Sequence, residues 1–152
     1  LSVDVETSVP GDFFNQMRSV FSQQKNEVWT RQLAGEKNLP AFLKVRDVLE
    51  FATVEGARAN GLERKVGVLK PGMEADIILM RTDRPNVMPV NNAVGAVVTS
   101  MNPANVDTVI IAGKMVKRDG KLVGVDMNKM FQLGRAAQDR AYRAAGVPLK
   151  RI

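Results

Sequence analysis

The stretch Val66-Gly67-Val68-Leu69-Lys70-Pro71-Gly72-Met73-Glu74-Ala75-Asp76-Ile77-Ile78-Leu79-Met80 decides how the rest of the chain is read. Pro71 fixes its own φ and lacks an amide hydrogen, while Gly72 tolerates positive φ. Lys70-Pro71-Gly72 therefore predicts a tight turn that ends the short apolar run before it. Beyond the turn, Glu74-Ala75-Asp76 leads into Ile77-Ile78-Leu79-Met80, four consecutive apolar residues of which half are β-branched. That pattern predicts a strand covered on both faces.

Downstream, Arg81 to Asn92 is a polar connection carrying Pro85 and Pro89, and Val94 to Thr99 is short, apolar and read as helix. The β-branched run Val106 to Ile111 predicts a strand. Ala112-Gly113-Lys114 turns it into Met115-Val116-Lys117, and Asp119-Gly120 turns again into Leu122-Val123. Asp126 caps a last helix from Met127 to about Ala145, ended by Gly146 and Pro148.

Upstream, Leu1 to Val5 alternates weakly and predicts a strand end with Asp4 at its carboxyl edge. A polar loop follows with Glu6, Thr7 and Ser8, then Pro10-Gly11. Asp12 caps a helix from Phe13 to about Gln32, whose buried face is Phe13, Met17, Val20, Phe21, Gln24 and Val28. Trp29 and Arg31 read as packing and solvent groups. Ala34 to Asn38 reads as a loop, and Leu39-Pro40 opens a second helical region with Val45, Val48, Leu49 and Ala52 on its apolar face. Thr53 caps a short helix from Val54 to Asn60, and Gly61 stops it.

Three of these blocks resemble one family. Gly67-x-Leu69-x-Pro71-Gly72-x-x-Ala75-Asp76-Ile77-Ile78-Leu79 resembles the return segment of metal-dependent amidohydrolases, where the chain leaves the catalytic barrel for a small β-sandwich. Ala52-Thr53-x-x-Gly56-Ala57-x-Ala59-x-Gly61-Leu62 resembles the helix before that segment. Val106-Asp107-Thr108-Val109-Ile110-Ile111-Ala112-Gly113-Lys114, with Val116 and Asp119-Gly120-Lys121-Leu122, resembles the final hairpin. Within the superfamily, the cytosine deaminase and chlorohydrolase branch is the most similar.

The resemblance implies an α+β chain in three parts. Residues 1–64 would be the carboxyl-terminal end of a (β/α)8 catalytic barrel, with its last strand and following helices. Residues 65–125 would be the second half of a composite β-sandwich, and residues 126–152 a C-terminal helix and tail. In α/β barrels the working residues lie at the carboxyl ends of the strands. Asp4 would then be the terminal carboxylate that binds metal and shuttles a proton, with Glu6, Thr7 and Ser8 facing the substrate. An isolated Asp in such a place could equally cap a turn or pair with a surface lysine; the downstream blocks in register favour the catalytic role. The implied reaction is attack of a metal-bound hydroxide on a C–N or C–Cl bond of a small heterocyclic substrate, using zinc or iron.

Composition limits what these residues can do alone. The 152 residues include no histidine and no cysteine. Asp4 by itself cannot hold zinc or iron in a usable geometry, so no metal is expected on this chain alone. No serine has a histidine to activate it, and no glycine-rich phosphate loop has the required spacing. The expectation is a piece of a hydrolase, inactive by itself, that needs an upstream part of the same polypeptide. Leu at position one fits a sequence that begins partway into a longer protein. A sandwich lacking half its strands exposes an edge and an apolar face, which predicts a homo-oligomer.

The alternative from another class is a non-enzymatic β-sandwich assembly module that binds a protein partner. It explains the missing histidines but not the placement of Asp4. Hydrophobic content of 45% and charged content of 25% are ordinary for a globular chain, which at this length would bury roughly 70% of its unfolded surface. The net charge of +6 is spread without a block of five basic residues, and aromatic content is 5%, so neither nucleic acid nor membrane is expected as a partner. No run of eighteen apolar residues and no basic leader are visible, and the missing cysteines fit a cytoplasmic enzyme.

Overall fold

The structure, a computed structural model, describes residues 1–3 and 10–148. The chain forms two compact units, residues 1–121 and 122–152.

The first unit opens with a long helix, α1 (Phe13–Leu33). Its N-cap Asp12 is extended, and its carboxylate accepts from the amides of Phe14 (2.9 Å) and Asn15 (3.3 Å). This satisfies two of the four amides that a helix start leaves unpaired. Then come α2 (Val45–Ala52), α3 (Val54–Ala59), β1 (Ile77–Met80) and α4 (Ala93–Thr99). The core lies among α1, α2 and α4. Buried Met17, Val48 and Val98 meet there, with Phe14, Phe21, Leu43 and Leu49 packed around them.

Several sequence expectations are corrected within this unit. Of the strand end expected over Leu1 to Val5, Leu1–Val3 pair with no described strand, and Asp4 and Val5 lie outside the described residues. The second helical region starts at Val45, not at Leu39-Pro40, because the Asp47 carboxylate accepts the Lys44 amide (2.8 Å) and sets the helix start there. Thr53 occupies the N-cap position of α3, but its hydroxyl donates back to the Leu49 carbonyl (2.8 Å) and caps nothing. Trp29 packs its ring edge-on against Phe42 at 5.8 Å, with half of the side chain left exposed.

The Pro-Gly corner forms as its chemistry requires. The Met73 amide donates to the Lys70 carbonyl (3.2 Å), and Gly72 has φ 89°, so Lys70–Met73 is a type II turn. Just before it, Gly67 (φ 101°) runs against α3. A Cβ there would sit 3.0 Å from that of Ala57 and 3.3 Å from the Val54 Cα.

β1 leads a four-stranded antiparallel sheet in the order β1-β2-β3-β4, with β2 (Val106–Ile111), β3 (Lys114–Arg118) and β4 (Lys121–Leu122). Ile77 pairs with Ile110, Ile78 with Val109 and Leu79 with Thr108; Val109 pairs with Lys117. β1 is an edge strand of this sheet. Ile78 and Leu79 are neighbours in a strand and so point to opposite faces, yet they are 55% and 53% exposed. The expectation of a strand covered on both faces is therefore not met at these two residues.

The second unit carries α5 (Met127–Ala145), capped by Asp126, whose carboxylate accepts the Lys129 amide (3.0 Å), and ended by left-handed Gly146. No residue of α5 is buried. No helix among the described residues is long and apolar enough to cross a membrane.

Candidate functional site

Asp4, Glu6, Thr7 and Ser8 lie outside the described residues. What is described is the framework that follows them. The Asp12 amide donates to the Pro10 carbonyl (2.6 Å), which folds the chain sharply into the first turn of α1. From that helix the Arg18 guanidinium reaches 81 and 83 residues along the chain. Its Nε donates to the Thr99 carbonyl (2.9 Å) and its Nη2 to the Met101 carbonyl (2.8 Å). These are carbonyls at and just past the end of α4, which the helix itself leaves unpaired, and a cation there also suits the helix dipole. The helix that begins at Phe13 is thus tied to the rest of the core.

A second anchor on α1 is Gln24, which the periodicity placed on the apolar face. Its side-chain amide donates to the Ala41 carbonyl (3.0 Å) and accepts the Leu43 amide (3.0 Å), fastening the segment between α1 and α2. Sequence reasoning missed both anchors. Each is a long polar side chain reaching backbone groups with no local pattern to announce them.

Several carboxylates among the described residues are engaged in structure. Asp76, inside the family-like block, accepts the Ala112 amide (2.7 Å), and the Gly113 amide donates to the Ala75 carbonyl (3.0 Å). The start of β1 is thereby locked to the turn between β2 and β3. Arg81 binds Asp83 through both carboxylate oxygens and lies 3.7 Å from Asp107. The hydrogen bonds from Arg81 hold the Asp83 carboxyl down at about 2, and the same contacts push the Arg81 guanidinium further up. Buried Asn105 accepts from the Asn86 side-chain amide (2.9 Å) and donates to the Arg81 carbonyl (3.2 Å).

No group of three or more Asp, Glu, His or Cys that could hold a metal ion exists among the described residues. With no histidine in the sequence, the donor set needed by zinc or iron is not met by these residues. What this arrangement does is tie α1 to the end of α4 and the start of β1 to the turn between β2 and β3.

A profile described as the amidohydrolase family matches residues 11–116. The chain is 35% identical over 137 residues to a 5′-deoxyadenosine deaminase of Methanothermobacter thermautotrophicus, covering 89% of this chain and 31% of that protein. It is 40% identical over 91 residues to a 5-methylthioadenosine/S-adenosylhomocysteine deaminase of Acetivibrio thermocellus, covering 60% of this chain and 21% of that protein. Its fold is similar to an adenosine deaminase of Xanthomonas campestris with bound zinc, with a TM-score of 0.63 and 23% identity over 80% of this chain and 27% of that one. It is also similar to the atrazine chlorohydrolase of Arthrobacter aurescens complexed with zinc, with a TM-score of 0.68 and 19% identity over 81% of this chain and 25% of that one. The chain thus spans about a third or less of the length of these proteins. On the match to most of its length, the chain belongs to the amidohydrolase family.

Proposed function

We propose that this chain is the Asp4-bearing portion of a hydrolase that removes an exocyclic amine from a small heterocycle of the adenosine type. Deamination is favoured over dechlorination because the deaminases are similar in sequence at 35–40% identity, whereas the chlorohydrolase is similar in fold at 19%. In the overall reaction water adds at the ring carbon that bears the amine, the C–N bond breaks, and ammonia leaves. Asp4 takes a proton from the attacking water and delivers it to the leaving nitrogen. Glu6, Thr7 and Ser8 face the substrate.

The activity rests on the deaminase relatives, and what supports reading the chain as a portion of a larger enzyme is the exposure of Ile78 and Leu79 on opposite faces of β1. Burying either side chain fully is worth about 1.5–3 kcal/mol, so a strand apolar on both sides suits a sheet that receives cover on both sides. The same polypeptide that covers the sheet would bring the imidazoles that this sequence lacks, and any divalent metal in the intact enzyme would depend on them. Residues 1–152 alone would then be inactive. The homo-oligomer and the cytoplasmic setting remain parts of this proposal.

The test is to express the complete reading frame and measure ammonia release from 5′-deoxyadenosine, beside the 152-residue chain and an Asp4→Asn variant. Activity in the full product, a loss of roughly 10²- to 10⁴-fold in Asp4→Asn, and none in the short chain support the reading. A complete protein without histidine, or full activity in Asp4→Asn, overturns it; the histidine-free case would leave the assembly-module alternative.

A further inference from the structure

We infer that α5 is a docking helix, seated in the complete enzyme by one apolar side against polypeptide that these 152 residues do not include. Met127, Met130, Phe131, Ala141, Tyr142 and Ala145 recur at the spacing of a single helix face. Lys129 and Arg140 lie on the opposite side, in solvent. No residue of α5 is buried, and Phe131 is 56% exposed. A helix of 19 residues is marginal alone in water and draws most of its stability from a covered apolar face. This one therefore needs cover.

Gly134 is a second, separate sign of a close neighbour. It falls within the same stripe, in the middle of the helix, where glycine weakens the element relative to alanine. Its backbone is ordinary helix, and a Cβ there would meet open space, so nothing among the described residues calls for glycine. With Ala141 and Ala145 it makes the stripe shallow, which suits another helix packing at short distance. A shallow stripe suits a bilayer poorly, because a helix lying in the membrane interface binds in proportion to the apolar area it inserts.

Length chooses between the remaining polypeptide and a second copy. The match to the Methanothermobacter deaminase takes in 89% of this chain, so it reaches into α5 wherever it starts, yet it takes in 31% of that protein. The helix is thus shared with a protein most of whose polypeptide this chain does not hold, and that polypeptide is the occupant. The inference rests on reading the chain as a portion of a larger enzyme.

Hydrogen exchange over residues 127–145, followed by mass spectrometry, tests it on the product of the complete reading frame and on the 152-residue chain. Exchange should be roughly a hundredfold slower in the complete protein. Gly134→Leu should speed exchange in the complete protein and slow it in the short chain, where leucine merely improves the helix. Phe131→Asp should abolish the protection, while Leu133→Asp, on the far side of α5, should leave it in place.

Equal exchange in both proteins overturns the inference, as do equal losses from Phe131→Asp and Leu133→Asp or a complete reading frame that adds nothing to these residues. Protection of the short chain that grows with its concentration would put a second copy on the stripe. Protection gained with phosphatidylserine vesicles would put a bilayer there, and either result overturns it. Ammonia release is read separately. An active enzyme with unprotected α5 sinks the docking alone, and an inactive one with protected α5 sinks the deaminase reading alone.

Discussion

The carboxylate of Asp76 accepts the backbone amide of Ala112 at 2.7 Å, joining residues 36 positions apart at the point where β1 begins and β2 turns into β3. Asp76 belongs to the block by which the family is recognised, yet its observed partner is an amide of the same sheet. Its role in this chain is to set the register of β1 against β2. Asp76→Ala should lower unfolding stability by about 1 kcal/mol, because the bond is charge-assisted but exposed. Urea unfolding followed by circular dichroism measures the loss.

Gly67→Ala should cost more, about 1–3 kcal/mol. The new Cβ would stand 3.0 Å from that of Ala57, on a backbone with φ 101° that side chains resist. Gly35, with φ 84° and open space around it, provides the control. Gly35→Ala should show the backbone penalty alone and a smaller loss in the same assay.

Arg18→Met keeps much of the stem and removes the fork that holds the Thr99 and Met101 carbonyls. A loss of about 1–3 kcal/mol is expected, since two carbonyls at the end of α4 lose a charged donor. Hydrogen exchange should speed up in α4 and at the start of α1 together, rather than in either alone.

The hydrogen bonds from Arg81 hold the Asp83 carboxyl down at about 2 in the folded chain, against an ordinary 3.8. Its folded value is the lower one, so its contribution is fully present above 3.8 and is lost as the pH falls through 2. Asp83→Asn should therefore flatten the fall in stability between these two values and leave the neutral-pH dependence unchanged. Carboxyl-carbon NMR of the wild type should place the midpoint near the lower value.

Ile78→Thr is expected to change stability of the 152-residue chain by less than about 0.5 kcal/mol, since the side chain is already half in solvent. In the complete reading frame the same substitution should cost about 1–2 kcal/mol, because there the strand would be covered. Equal effects in both would mean that nothing covers that face.

The local grammar of the chain was legible. The type II turn at Pro71-Gly72, the caps Asp12 and Asp126, and the β2–β3 hairpin each follow from residues a few positions apart. What was not legible depends on distant partners. Arg18 and Asn105 are ordinary polar residues until the fold brings α4 and the Arg81 carbonyl beside them. Thr53 looked like a cap because threonine suits that position, but the last turn of α2 offered its hydroxyl a nearer carbonyl. The apolar run Ile77–Met80 spoke correctly for a strand and misled on its burial: a side chain's hydropathy says what it prefers, not whether a covering layer stands next to it in this chain. The proposed site was legible solely through resemblance, on four residues that lie outside the described ones.

The grip of Gln24 on Ala41 and Leu43 has a consequence for how this protein would age. One nitrogen and one oxygen on the same amide meet a carbonyl and an N–H of a neighbouring segment, as a fragment of backbone would. Hydrolysis of that amide to an acid would keep the acceptor and destroy the donor, setting a negative charge against the Ala41 oxygen. A change of one dalton at a single glutamine would then loosen the segment carrying Phe42, and the tryptophan would lose its neighbour first.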